Sequence, residues 1–404
     1  MYSHSVTQQH IEKVEAQTKL KLHRFEAAKV QDWAEQLKRI YNDGKPLRDL
    51  RKEETEFIRN EQILSKLDYH YFAERYSALL LDSGGLGRLR FWKSQDMIFE
   101  LIAKLEQKSW DQLQRKESTD GILIALNKAR QLGATSISRS ILMHRECFWE
   151  HTRGFSASVD EDKILELYQK DKRIYDNLPY YLQPSLDPRD GSFDKKAEHL
   201  SFGKMDSFLL YQSDAQKSGL GQGRQFDVSH LTECASFLHP DNLIKDFFPT
   251  MPQSYWAFCI AESTPQGFGN WWHDWVELIR TGELPRWNYL FVPAYIEPKK
   301  YGTTVPVDWV AEPNTLKYAK KVEESSVETV GHKVEPAREH LYWYERTRKE
   351  YVQMNMLAVF LTNFAATSEE SFQHFSGAAF PPELIEQSRL NVREPVSYDF
   401  LRAS

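Results

Sequence analysis

The sequence predicts an α/β protein with a mainly parallel central sheet, and three observations carry that prediction. Short runs with strand character occur at 121–127, 226–231, 255–261 and 287–294, as expected of strands covered on their faces. They alternate with helical patterns, which is the signature of βα units. Charged, mainly helical sequence lies before and after them. The 404 residues are enough for two or three compact units, each with a sizeable core.

From His10 to about Tyr41 the chain is charged and poor in Gly and Pro. Its apolar residues Ile11, Val14, Leu22, Phe25, Val30, Trp33, Leu37 and Ile40 follow an imperfect helical period, so one or two amphipathic helices are expected. The turn NDGKP at 42–46 ends that region, and a second helical stretch is expected from about Leu47 through Leu81. The break Ser83-Gly84-Gly85 follows. Next come the strand GILIALN at 121–127 and a helix over 137–151, with Ile137, Ile141 and Phe148 on one face. The stretch 158–225 is long, mixed, and rich in Asp, Lys and turn residues. Within it, Ser218 to Arg224 reads as a Gly-rich hairpin in preference to a phosphate nest. FDVSHL, YWAFCIA and WNYLFVPA supply the later strands. Alternation stops near Val305, and a strong helix is expected from about Glu335 to Met356. The division implied is 1–82 helical, 83–304 core, and 305–404 mainly helical.

Composition excludes several classes. With 41% hydrophobic and 27% charged residues and a net charge of −6, the chain lies far from disorder. It is not a basic nucleic-acid coat protein, and any contact with nucleic acid must be local or transient. Cys147, Cys234 and Cys259 lack metal spacing, which argues against zinc or a disulfide framework and for a reduced, intracellular setting. The N-terminal sequence lacks the apolar segment of a signal peptide, and no run approaches 18 apolar residues, so neither secretion nor a membrane span is expected.

Three constellations carry chemistry. Between the strand at 121–127 and the following helix lies Lys128-Ala-Arg-Gln-Leu-Gly133-Ala-Thr135-Ser136. This strand, loop and helix context suits a phosphate-binding loop: Gly133 permits the turn, the helix N-terminus receives the phosphates, and a hydroxyl of Thr135 or Ser136 can ligate Mg²⁺. The pattern departs from G-x-x-x-x-G-K-S/T, because Lys128 stands at the first Gly and Ala134 at the Lys. Lys128 can still reach across the loop, and Arg130 offers a bidentate phosphate ligand. Second, Glu233 follows the strand at 226–231, where a nucleoside triphosphatase keeps the group that activates water. The preceding position, usually an Asp, is Thr232. Third, the strand at 255–261 runs into Glu262-Ser263-Thr264-Pro265 and the aromatic run Trp271-Trp-His-Asp-Trp275, placing small hydroxyls beside a crevice.

KARQLGATS, HLTECASF and ESTPQGFGNWWHDW, in this order, closely resemble motifs of the large terminase subunit of tailed bacteriophages, whose ATPase drives double-stranded DNA into a preformed capsid. Segments 60–76, 92–95, 287–301, 343–348 and 367–380 are similar to the same family, so the resemblance covers about residues 60 to 380. It implies a P-loop NTPase core of the ASCE or RecA-like kind, N-terminal helices and a C-terminal helical lid or linker subdomain. Carried over by position, it implies that Gln95 contacts adenine and that Lys128, Ala129, Arg130, Gln131, Gly133, Ala134, Thr135 and Ser136 bind the nucleotide. Thr135 ligates Mg²⁺, with Glu233 acting through water. Arg130 senses or stabilises the γ-phosphate in cis, Glu233 is catalytic with Lys128 and Arg130, and Ser263 and Thr264 couple hydrolysis to movement. The implied cofactors are ATP and Mg²⁺. The implied partners are double-stranded DNA, the portal protein, the small terminase subunit and further copies in a ring on the portal, with a monomer in solution. The implied setting is the host-cell cytoplasm, with transient docking on the procapsid and no membrane.

The stretch after Arg286 is too short for the second sheet domain of a tandem-core helicase. It holds only Asp308 and Asp399 as aspartates, without the strand-borne carboxylates of a two-metal nuclease, so no nuclease activity is expected and the nuclease domain is expected to be absent. The alternative to a packaging ATPase is a nucleotide-gated assembly or scaffold protein that binds ATP with little hydrolysis, favoured by the displaced Lys and the missing Asp. The basic groups of the tail have acids nearby and read as solvated helix faces. Arg139, just inside the phosphate-loop helix, is no better a candidate than several others for an arginine acting in trans.

Overall fold

The computed structural model describes residues 1–42, 50–81, 84–186, 199–215, 219–221 and 224–373. Four helices come first: α1 (His4–Thr18), α2 (Ala27–Asn42), α3 (Lys52–Leu67) and α4 (Tyr69–Tyr76). A small antiparallel pair follows, β1 (Ala78–Leu80) with β2 (Leu86–Arg88). Helix and strand then alternate: α5 (Lys93–Gln114), β3 (Ile122–Lys128), α6 (Ala134–Phe148), β4 (Arg153–Ser158), α7 (Glu161–Asp176), β5 (His199–Phe202), β6 (Ser207–Ser213) and β7 (Val228–Thr232). The single turn α8 (Pro240–Asn242) precedes β8 (Phe258–Ser263), α9 (Trp271–Arg280) and β9 (Asn288–Val292). The tail holds α10 (Pro313–Val330), α11 (Arg338–Gln353), α12 (Leu357–Asn363) and α13 (Ser368–Gln373).

The main sheet has seven strands in the order β5-β6-β4-β7-β8-β3-β9, and only the β5–β6 pair is antiparallel. Crossing from β3 to β4 and then to β7 and β8 requires helical connections, which is why this sheet is covered on both faces. Successive side chains of a strand point to opposite faces. Ile122, Ile124 and Leu126 of β3 therefore join the larger core with Ile98, Ile137 and Ile141, while Leu123 and Ala125 join the second core with Trp272, Val276 and Phe247. Among the described residues no helix is long and apolar enough to cross a membrane, and the three cysteines are buried without a disulfide.

Several expected boundaries shift. The helix expected at 137–151 begins at Ala134, so Thr135 and Ser136 lie in its first turn. The strand expected at 255–261 runs on through Ser263, which places Glu262 inside the sheet. The mixed stretch 158–225 contains α7, β5 and β6, and the helical stretch 47–81 is broken into α3, α4 and β1. The hairpin expected at Ser218 to Arg224 lies partly outside the described residues, at 218, 222 and 223; β6 and β7, on either side of it, are separated in the sheet by β4. The boundary set at 82/83 falls within the β1–β2 pair, and the N-terminal helices share the larger core with the sheet through Tyr2, Leu37, Phe57 and Phe72. Asp399 and the tail beyond Gln373 lie outside the described residues.

Candidate functional site

The loop between β3 and α6 is shaped by two left-handed residues, Gln131 (φ 57°) and Gly133 (φ 74°). Gly133 is the N-cap of α6, so the N–H groups of the first turn open toward the loop. A side chain at 133 would also collide, since a Cβ there would lie 2.4 Å from Gln95 Nε2. The first turn of α5 holds the loop from the other side. Gln95 Nε2 donates to the Gly133 carbonyl at 3.1 Å, and the Ser94 hydroxyl lies 3.0 Å from both the Leu132 carbonyl and the Glu297 carboxylate. Gln95 is buried, and its Oε1 accepts from the Trp92 N–H. In this structure Gln95 thus clamps the loop, a contact that its expected place beside adenine did not anticipate. A cleft of about 1720 Å³ opens over the loop, lined by Gln95, Lys128, Gly133, Ala134, Thr135 and Ser136 among others.

Lys128 closes β3, and its Nζ lies 3.8 Å from Glu262 Oε2. Glu262, which sequence reasoning did not assign, is the hub of the site. It is fully buried, and its Oε1 accepts from Thr135 Oγ1 at 2.7 Å and Thr232 Oγ1 at 3.0 Å, with His230 Nε2 also at 3.0 Å. Its Oε2 accepts no hydrogen bond among the described residues. Burial pushes this carboxyl up, but the Lys128 charge and the His230 and Thr135 contacts outweigh it and hold the group below the usual carboxylate range. Register explains the gathering: Glu262 pairs with Thr232 of β7 on one side and Leu126 of β3 on the other, so Lys128, His230, Thr232 and Glu262 share one sheet face.

Burial lowers the His230 pKa despite the contact with Glu262, so the ring is neutral. The arrangement fits an Nε2–H tautomer, with Nδ1 facing Arg139 Nη1 at 3.4 Å. Arg139 is fully buried, ion-paired with Asp171 of α7 and hydrogen-bonded to Ser156 of β4. This pairing leaves it unavailable to a neighbouring subunit.

Glu233 follows β7 in the left-handed region (φ 61°, ψ 34°) and is exposed. A non-glycine residue held there is uncommon and marks a turn that the surroundings enforce. That turn is fastened to the end of β8 and the start of α9: the Ala235 N–H donates to Ser263 Oγ at 2.9 Å, Gln266 to Ser236, and Trp271 Nε1 to the Cys234 carbonyl at 2.9 Å. Ser263 Oγ in turn donates to the Thr264 carbonyl at 3.0 Å. Arg130 is exposed, and its charge opposes the burial that raises the Tyr301 hydroxyl. Ala129 is buried beneath the loop. Strand order brings the loop, Glu262 and the Glu233 turn to one edge of the sheet. The donors there are hard oxygens, and no group of three His, Cys, Asp or Glu suited to a metal occurs among the described residues. Such a set suits a cation that keeps waters and phosphate oxygens in its shell.

No known family model matches the sequence, and a search of curated proteins gives no match. Solved structures similar to this chain include phage large terminases. The bacteriophage HK97 large terminase is 12% identical with a TM-score of 0.47, over 72% of this chain and 53% of that chain. The large terminase ATPase domain of Thermus phage P74-26 is 13% identical with a TM-score of 0.36, over 53% of this chain and 90% of that one. The large terminase of a thermophilic bacteriophage in complex with ATP-gamma-S is 13% identical with a TM-score of 0.33, over 54% and 49%. The match thus spans about half the length of the HK97 protein.

Proposed function

We propose that this chain hydrolyses ATP with Mg²⁺ and couples the reaction to movement of double-stranded DNA into a procapsid, as the ATPase portion of a terminase large subunit. The observation that carries the reading is that β8 lies between β3 and β7. The phosphate loop and the Glu233 turn therefore lie at the same C-terminal edge of the sheet, where ligands bind in open α/β sheets. The N–H groups at the start of α6 and the Lys128 ammonium hold the phosphates, and Arg130 adds positive charge from the loop. Glu233 orients and deprotonates the attacking water. Glu262, whose Oε1 accepts from the Thr135 hydroxyl and whose buried Oε2 has no hydrogen bond among the described residues, fits a magnesium site, and an ion held there would neutralise phosphate charge.

Ser263 and Thr264 couple the site to the rest of the chain, a role supported by the contacts of Ser263 to Ala235 and Thr264. From α9, Trp272 Nε1 donates to Asn127 Oδ1 at 2.6 Å, and Asn127 donates to Tyr289, which meets Ser368 of α13. Packed polar contacts of this kind give a shift at the nucleotide a physical route to the helical tail. DNA, portal protein, small subunit and a ring of further copies are the partners of this reading, with host cytoplasm and procapsid as its setting. Lys320, Lys321 and Lys349 are ion-paired within the chain, so none is assigned to DNA. The scaffold reading retains the support of Ala134, where the usual Lys is missing.

The test is DNA-stimulated ATP turnover of Lys128→Ala and Glu233→Gln. Each is expected to lose about 100-fold or more, the scale of a missing general base or charge clamp. Unchanged turnover in both sinks the proposal, and tight ATP binding with negligible wild-type turnover favours the scaffold.

A further inference from the structure

Three independent observations converge on Glu262. The first is the acid missing at Thr232: the end of β7 offers a hydroxyl where a carboxylate belongs, and that hydroxyl donates to Glu262 at 3.0 Å. The second is register. Glu262 stands directly beside Thr232 on the neighbouring strand, so it presents a carboxylate from the same face and at the same height in the sheet. The third is its set of partners. Three groups, on Thr135, Thr232 and His230, converge on Oε1, which fixes the side chain. Oε2 accepts no hydrogen bond among the described residues although the group is fully buried, and it faces the Lys128 ammonium.

We infer that Glu262 supplies the carboxylate of the magnesium–nucleotide site from β8, in place of the acid absent from β7, with His230 as its positioning residue. This inference rests on the ATP-binding reading above. The Thr135 hydroxyl remains able to offer its oxygen to the ion while its proton stays on Glu262 Oε1. The His230 ring, 3.0 Å from Oε1 and fixed from behind by Arg139, keeps the carboxylate from rotating toward the core. Lys128 Nζ lies 3.8 Å from the same carboxylate, so a bound phosphate would compete with Glu262 for one ammonium.

The experiment measures binding of a fluorescent ATP analogue to the full chain in EDTA and in Mg²⁺, together with Mn²⁺ binding by EPR in the presence of ATP. For Glu262→Gln, Mn²⁺ affinity and the Mg²⁺ enhancement of nucleotide binding are expected to fall about 10- to 100-fold, the usual cost of losing a metal-site partner. Affinity in EDTA should stay equal or become tighter, because a negative charge leaves and Lys128 is released. The double change Thr232→Asp with Glu262→Thr is expected to recover much of the enhancement. A folded Glu262→Gln chain that keeps the full enhancement overturns the inference and leaves Glu262 as an ion-pair partner of Lys128 alone; equal losses with and without metal do the same. Should Glu262→Gln not fold, Glu262→Asp, which withdraws the carboxylate by one methylene, carries the same two outcomes. A wild-type chain that binds no ATP in either condition refutes the ATP-binding reading itself, and this inference falls with it.

Discussion

A buried ion pair lies behind the site, reaching it through His230. Arg139 and Asp171 are both removed from solvent. The guanidinium spends its N–H groups on both Asp171 oxygens and on Ser156, with His230 beyond. Tyr211 gives Asp171 one further bond, at 2.5 Å. Arg139→Met keeps much of the volume but leaves Asp171 charged in the core with a single donor. Breaking one side of a buried ion pair costs about 3–5 kcal/mol, whereas replacing both sides with apolar groups is often close to neutral. Arg139→Met alone should therefore lose about 3–5 kcal/mol in urea denaturation followed by tryptophan fluorescence. The double change Arg139→Met with Asp171→Leu should return to within about 1–2 kcal/mol of the parent, giving a coupling energy of several kcal/mol. A loss below about 1 kcal/mol in the single variant, or additive losses in the double, would refute the reasoning, since the charges would then be solvated or otherwise compensated.

Two further outcomes follow from the same geometry. Gly133→Ala should cost at least about 1–2 kcal/mol, the penalty for an L-residue in the left-handed region; Gln95→Ala in the same chain removes the collision with Gln95 Nε2 but should leave that backbone part, and full recovery in denaturation midpoints would show that the side-chain collision alone was the cause. Burial pushes the His340 imidazole down to about 4, between the Tyr301 carbonyl and the Tyr318 hydroxyl. Its contribution to stability is complete above the unfolded value of about 6.5 and is lost as pH falls toward 4, about 3 kcal/mol in all. His144, pushed down to about 3, acts in the same direction, so denaturation from pH 7 to 4 should lose about one proton's worth of slope, roughly 1.4 kcal/mol per pH unit, in His340→Asn. An unchanged slope contradicts the assignment.

The strands that were legible in the sequence are those whose burial on both faces leaves an apolar run, such as Ile122 to Leu126 and Phe258 to Ala261. β4 escaped because its core positions include Ser156 and Ser158, and because Gly154 sits where a Cβ would meet Glu146 Oε1 at 2.2 Å. Close packing against a buried acid leaves no hydrophobic signal. The α7 period of Ile164, Leu167, Tyr168 and Ile174 was present but diluted by the charges of its outer face. The loop residues and Glu233 stand out in the sequence as candidates because each lies at a strand end, in one continuous segment. Glu262 could not be found this way, since its meaning depends on a neighbour thirty positions away in the chain. The signal was a charged residue extending an apolar strand, and only the β7–β8 register turns it into a partner for Thr232.

That dependence bears on how such sites tolerate change. Adjacent parallel strands lie about 4.8 Å apart, and residues in register on one face point the same way. A carboxylate can thus pass from one strand to its neighbour and still face the same hydroxyl at the start of the following helix, if the side chain has the reach and its other oxygen is held. Here a glutamate has the extra methylene, and Thr232 donates to it in place of competing with it. The cost of burying its charge is offset by Lys128, which projects from the strand on the opposite side, and by a neutral histidine that donates without adding a second charge. The pattern in the linear sequence is broken twice, at the lysine and at the acid. In space the displaced lysine and the glutamate that Thr232 faces are the two ends of a single ion pair across the strands β3 and β8.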